Sequence, residues 1–269
     1  MKRFFLAFIF FLSLVSLGQN NPAEKSASAL TLRAWRVYWG GEKNEARELL
    51  QKHLINQPSD LDVTIFLSFV QTLMGNKAEG LQLLNEANIL AKTDAEKMRL
   101  AGMISLWLGE DQKAINIFES VHKLDPKDSA TLAYLGLALY RFSRHNTGNI
   151  HYSAKEGLLG AVSAFKKSLE ITSKNSMVYF YLGNTYRKLS GFAGQDKNDE
   201  ALSAFQNAIK IDPHNWEARL NMASTLVYLK RQSEALKELD YLDKNMPEKK
   251  ETWELYRMMF EMGSEMFRY

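Results

Sequence analysis

Few residues in this chain have the types and spacing that chemistry needs. The five histidines are His53, His122, His145, His151 and His214, and only His145 and His151 share one short stretch. A zinc site needs three or four ligands on a compact frame. No carboxylate spacing completes such a set around this pair, so they read as surface imidazoles. The run Asp196-Lys197-Asn198-Asp199-Glu200 opens like a calcium loop. An EF-hand loop needs Gly at its sixth position and Glu at its twelfth, and those are Ala201 and Asn207. The expected role of the run is local: acidic charge near the unpaired N–H groups of a helix starting near Asp199. The chain has no cysteine, which removes disulfides, thiol nucleophiles, thiolate metal sites and a cysteine-anchored lipid. There is no HExxH, no GxSxG and no glycine-rich phosphate loop with a following Lys. The expectation is therefore no catalytic residue, no metal and no cofactor.

Composition narrows the partner class. The 269 residues are 46% hydrophobic and 24% charged, with a formal net charge of +3. That is a globular balance. Without Lys2 and Arg3 the count falls to 32 basic against 31 acidic residues, or +1. Nucleic-acid binders carry a basic surplus or stripe, and neither is present here. Nucleic acid is not an expected partner.

Lys2 and Arg3 precede a run from Phe4 to Leu17 that is apolar apart from Ser13 and Ser16. Its fourteen residues would make a helix about 21 Å long, short of the roughly 30 Å hydrocarbon core. This predicts a cleaved export signal over residues 1–18, with Ser16 and Gly18 as the small residues before a cut at Gln19. An uncleaved anchor and a buried N-terminal helix are the alternatives. No later segment approaches 18 continuous apolar residues. The expected product is periplasmic or secreted, with no stable membrane span once the signal is removed.

The rest of the chain repeats. Ala114, Phe118, Val121 and Pro126 stand at offsets 0, 4, 7 and 12; so do Ala201, Phe205, Ala208, Pro213 and Ala235, Leu239, Leu242, Pro247. Ala161, Phe165 and Ser168 match the first three offsets, and Ala46, Leu50 and Pro58 extend the series upstream. The 0, 4, 7 spacing puts three side chains on one helical face. The small residue lets a neighbouring helix approach, and the larger one fills the space beside it. Proline suits the start of the next helix, where its missing N–H costs nothing. Upstream of each such helix lies another with a small residue inside it: Gly102, Gly136, Gly183 and Ala223.

This pattern resembles the tetratricopeptide repeat family, built from 34-residue helix-turn-helix units with a small residue at position 8, Ala at 20, an aromatic at 24, Ala at 27 and Pro at 32. A frame fixed on Pro126 gives units 27–60, 61–94, 95–128, 129–175, 176–215 and 216–249. A tail, 19–26, precedes them, and residues 250–269 are expected to form a C-terminal capping helix. The resemblance implies an all-α, right-handed superhelical solenoid of antiparallel helix pairs, with first helices on its concave side.

Units 129–175 and 176–215 exceed 34 residues. Gly136 and Ala161 are 25 apart rather than 12, and Gly183 and Ala201 are 18 apart. The excess lies within residues 141–160 and 188–200. It reads as tolerated loop growth, as helix extension through SAKEGLLG, or as a docking edge.

In this family, positions 2, 5, 9, 12 and 13 of each unit face the concave groove. The resemblance places Trp35, Trp39, Phe69, Trp107, Tyr140 and Phe180 there, followed by Asn184, Arg187 and Lys188, and Asn221, at position 6 of its unit, joins them as a candidate groove residue. Glu217 and Tyr228 hold groove positions in the last unit. Some members grip a terminal carboxylate with Lys at 5 and Asn at 9 in one unit, Asn at 6 in the next, and Lys at 2 and Arg at 6 in the third. Asn184 and Asn221 fit that pattern, but Phe180, Glu251 and Leu255 occupy the other three places. That clamp is not implied, and the two amides remain as donors and acceptors for a peptide backbone. The implied function is a non-enzymatic protein-interaction scaffold that binds an extended polypeptide in its groove or docks a partner on the inserted edge. The alternative is an envelope or polysaccharide-machinery accessory that binds a glycan through the aromatics.

Overall fold

The computed structural model describes residues 30, 33, 34, 37, 42–91, 93–145, 151–193, 196–213 and 215–262, without the side chains at 62, 69, 73, 107, 144, 145, 151–153, 192, 193 and 248. The expected signal and tail, and Trp35 and Trp39, lie outside these residues. The described residues contain twelve α-helices and no strand. They are α1 (Lys43–Asn56), α2 (Leu61–Leu73), α3 (Lys77–Leu90), α4 (Asp94–Leu108), α5 (Asp111–Leu124), α6 (Ser129–His145), α7 (His151–Ile171), α8 (Ser176–Ala193), α9 (Asn198–Ile211), α10 (Trp216–Tyr228), α11 (Gln232–Asn245) and α12 (Lys250–Met262). The protein is all-α. Two compact bodies, residues 1–138 and 139–269, divide it within α6.

Local signals set the helix ends. Thr93 and Glu96 form a reciprocal capping box at the start of α4, with bonds of 3.1 and 2.8 Å. The helix stops at Gly109, whose φ of +81° suits a residue without Cβ. Asp60 caps α2 by accepting the Val63 N–H, and Asn215 caps α10 by accepting that of Ala218.

In the N-terminal body, α2 packs on both α1 and α3, and α4 packs on α5. The short connections make these pairs antiparallel. Gly102 on α4 lies flat on Phe118 of α5: a Cβ there would meet the ring at 2.6 Å. Phe118 is fully buried and also stacks on Tyr134, with ring centroids 5.4 Å apart.

The C-terminal body repeats the device. Helices α7 to α12 pack in chain order, each on the next. Gly183 on α8 meets Phe205 on α9 as Gly102 meets Phe118, again at 2.6 Å from a built Cβ. Ser176 donates to the Ala208 carbonyl (2.9 Å) and receives the Asn215 amide (3.0 Å), which ties α8, α9 and α10 together at one end. At the far end, buried Trp253 packs against Trp216 and donates to the Met246 carbonyl.

The longer units are taken up largely by helix. α7 begins at His151 and includes the whole SAKEGLLG segment, while α8 continues to Ala193. Ala, Lys, Glu and Leu are strong helix formers. The two glycines of that segment lie against α6: a Cβ on Gly160 would meet Leu139 Cδ1 at 3.2 Å.

Candidate functional site

Helices α8 and α10 each begin a helix pair in the C-terminal body, and they touch one another directly. Arg187 on α8 donates from Nη1 to Oδ1 of Asn221 on α10 (3.3 Å). Asn221 in turn donates from Nδ2 to Oδ1 of Asn184 (3.0 Å). Asn184 and Arg187 stand three residues apart on α8, so both present to the same side. Tyr228, at the end of α10, hydrogen-bonds the guanidinium, whose carbon lies 5.7 Å from its ring centroid. Lys188 holds its ammonium 5.2 Å from the Tyr140 ring centroid, within cation–π range. The four polar residues and Tyr228 are half-buried.

Electrostatics separate Arg187 from four other arginines. Arg99 pairs with Asp128, Arg219 with Glu238, Arg231 with Glu234 and Arg257 with Asp240. Arg187 forms no ion pair with a carboxylate among the described residues. Burial pushes its pKa down, and neighbouring Tyr228 and Tyr140 partly oppose this. Guanidinium starts so high that it stays charged. Burial likewise pushes the Tyr228 phenol up, against the pull of Arg187. On the same helix, burial raises Glu217 to about 7, with Lys249 acting the other way.

The expected groove aromatics are placed differently from the polar residues. Tyr140 is only 6% exposed and Phe180 only 5%. Tyr140 packs edge-on against Tyr181, while Phe180 packs against Tyr181 and Phe205. They form the packed layer beneath the polar row and offer little open ring surface. Phe69 and Trp107 belong to α2 and α4, but their side chains lie outside the described residues. The structure brings Asn184, Arg187 and Asn221 into one connected set. Sequence reasoning placed these residues individually and missed that they bond in series; the available signal was the 34-residue spacing of Arg187 and Asn221.

The acidic run near α9 is tied up locally. Asp196 accepts from the Asn198 backbone and amide, and Lys197 pairs with Glu200 (2.6 Å). His53 bonds to Asp60. Among the described residues no group of three or more His, Cys, Asp or Glu side chains could hold a metal ion. The side chains of His145 and His151, and all of His214, lie outside them. No helix among the described residues is long and apolar enough to cross a membrane.

Residues 192–258 match the model described as tetratricopeptide repeat. The match covers α9 to α11 and parts of α8 and α12 of this chain. The chain's fold is similar to that of a thermophilic tetratricopeptide repeat protein from Thermus thermophilus, with a TM-score of 0.58 at 17% identity, over 75% of this chain and 99% of the other. A chain of the APC/C hetero-tetramer Cut9–Hcn1 gives 0.56 at 17% identity, over 89% of this chain and 43% of the other. Pseudomonas aeruginosa PilF gives 0.50 at 14% identity, over 88% and 100%. No curated protein sequence matches the chain. At these identities the likeness is one of fold.

Proposed function

We propose that this protein is a tetratricopeptide repeat scaffold for protein–protein interaction, non-enzymatic, and that it holds an extended polypeptide along the first helices of its C-terminal body. The observation that carries the reading is the polar row Asn184, Arg187 and Asn221. It is seated on a rigid aromatic layer and retains hydrogen-bonding capacity that the fold does not use. Extended backbone offers a carbonyl and an N–H at every residue, the complement of such a row. Glycan hydroxyls are a weaker complement at this row, because the two aromatic rings beside it, Tyr140 and Phe180, are buried. Parallel peptide and glycan arrays probed with the purified protein test the reading. Retention of peptides, reduced by Asn184→Ala, is the expected result. Retention of glycans alone would overturn it.

The basic pair Lys2–Arg3 and the short apolar run behind it support a further proposal, that the chain is exported with its N-terminus cut near Gln19. Mass spectrometry of the natively produced protein should find that terminus, and an intact Met1 in a soluble cytoplasmic fraction would sink the idea.

A further inference from the structure

We infer that α12 carries a second interaction surface, a docking face for an amphipathic helix of a partner protein whose apolar stripe is bordered by lysine or arginine. This face is separate from the polar row and uses none of its residues.

One side of α12 is covered. Trp253 and Phe260 are buried there, with Trp253 against Trp216, and the helix packs on α11. Arg257 reaches Asp240 of α11 at 2.7 Å. The other side carries Leu255, Met258 and Met262, which are 52%, 55% and 67% exposed. Spacings of three and four residues put them in one line down the helix, about 10 Å long at 1.5 Å per residue. Single exposed apolar residues are ordinary. Among the described residues, however, no other helix exposes three large hydrophobic side chains: α3 exposes Leu81 and Ile89, α7 exposes Leu159 and Ile171, and the rest expose one or none. Helix α10 shows the contrast. It lies between α9 and α11 and buries Leu220, Met222, Leu226 and Val227. A straight apolar line on a helix is complemented by the matching line of a second helix. Two of its three members are methionines, whose unbranched side chains adapt to a partner's surface.

Charge specifies the partner. Glu254 and Glu261, two turns apart, border the line on one edge, and Glu251 continues the line one turn before Leu255. Lys250 is on the same edge, and Glu254 already holds it at 3.8 Å. Glu251 and Glu261 form no ion pair among the described residues, so the surplus charge around the stripe is negative. A facing helix edged with lysine or arginine complements it. A second copy of α12 does not. In an antiparallel two-fold pairing, the Glu254–Glu261 edge of one copy meets the same edge of the other; in a parallel pairing it meets the edge carrying Thr252 and Met259. Neither arrangement supplies a cation.

The test uses the full chain and three labelled synthetic helical peptides of about 18 residues, with binding followed by fluorescence anisotropy. The first has one leucine stripe edged with lysine. The second has the same stripe edged with glutamate. The third has the composition of the first with its leucines spread around the helix. The lysine-edged peptide should bind at least about tenfold more tightly than either of the others. Leu255→Ala combined with Met258→Ala should weaken it by at least about tenfold, with helicity and melting temperature unchanged because both side chains are exposed. Glu254→Lys combined with Glu261→Lys should reverse the order of the lysine-edged and glutamate-edged peptides. No binding of the lysine-edged peptide, equal binding of all three, or an order that does not reverse overturns the inference. A loss of melting temperature in the Leu255→Ala, Met258→Ala protein as large as that of Trp253→Ala overturns it by placing the stripe in the core. Dimerisation in sedimentation experiments that Met258→Asp abolishes assigns the face to a second copy, and adsorption to phosphatidylcholine vesicles in preference to the lysine-edged peptide assigns it to lipid; either result overturns it. Asn184→Ala should leave the lysine-edged peptide bound, so failure at α12 leaves the polypeptide reading of the polar row standing.

Discussion

Replacing Gly183 with alanine tests whether α8 rests directly on the Phe205 ring. A Cβ at Gly183 would meet Phe205 Cε1 at 2.6 Å, Cδ1 at 2.8 Å and Cζ at 2.9 Å. Carbon atoms in contact prefer about 3.5–4.0 Å, so the ring or the helix must yield by about 1 Å. Phe205 is fully buried with Phe180 packed beside it, which leaves the ring little room to swing. Overpacking of this kind costs about 1–3 kcal/mol. Alanine, however, is better than glycine inside a helix by about 1 kcal/mol. The single variant should therefore lose only about 0–2 kcal/mol, too little to decide the matter by itself. A double-mutant cycle separates the two effects. Phe205→Ala should cost about 3–5 kcal/mol. Adding Gly183→Ala to it should then stabilise by about 1 kcal/mol, because the Cβ enters vacated space. The coupling is the steric part alone, about 1–3 kcal/mol. Urea unfolding of all four proteins, followed by helical circular dichroism, measures it, provided the m-values agree, since stacked repeats can lose two-state cooperativity. A Gly183→Ala effect that is the same in both backgrounds would refute the contact.

Three other outcomes follow from the same packing and charge arguments. Phe118→Ala should cost about 3–5 kcal/mol because the ring is fully buried under Gly102; Trp107→Ala, at a proposed groove position, should leave helicity and melting nearly unchanged, and equal destabilisation of the two variants would place Trp107 in the core. Burial works to raise the Asp128 carboxyl, but Arg99 and the bonds from Thr131 and Ala130 outweigh it and hold it below its ordinary value; its stabilisation is therefore present above the unfolded pKa and lost as pH falls through the folded one, so Asp128→Asn should lower stability at pH 7 by about 1–2 kcal/mol and flatten the acid limb of a melting-versus-pH curve. Glu217 has the opposite sign: burial lifts it to about 7, so the folded state holds its proton more tightly and stability falls as pH rises from the unfolded pKa to about 7. Glu217→Gln should raise stability by about 1–2 kcal/mol above that range and leave it unchanged near pH 4.

The all-α helix-pair architecture was legible because it is written in side-chain size. A small residue at Gly102 or Gly183 and an aromatic sixteen residues later at Phe118, or twenty-two later at Phe205, mark where two helices must approach and what fills the gap. The longer spacing in the second case also explains why the extra residues did little damage to the pattern. They lie between the helices, where α8 simply runs on to Ala193. The aromatic groove was less legible. Helical position specifies the direction of a side chain but not what lies over it. Tyr140 and Phe180 hold groove-type positions, yet each is covered within its own body by Tyr181, Phe205 or the ammonium of Lys188. The acidic run at 196–200 could be judged from sequence because its bonds are all short-range.

The polar row was hidden for a different reason. Asn184 and Asn221 are 37 residues apart, Arg187 and Asn221 34 apart. A repeat of that length brings successive first helices side by side, so it turns a long sequence separation into a hydrogen bond. Spacing alone still leaves the row without direction, because each amide can present either its oxygen or its nitrogen. Arg187 removes the choice. It can only donate, and the Asn221 and Asn184 amides must align behind it. The chemical identity of the row therefore depends on one side chain. With a neutral residue at 187 the same two amides would bond each other in either sense and favour donors and acceptors alike. With arginine there, the two amides align in one sense, the Asn184 NH₂ is left as a donor, and each amide oxygen keeps a second lone pair. Arg187→Gln therefore tests what sets the direction of the row, and Asn184→Ala removes one of its contacts.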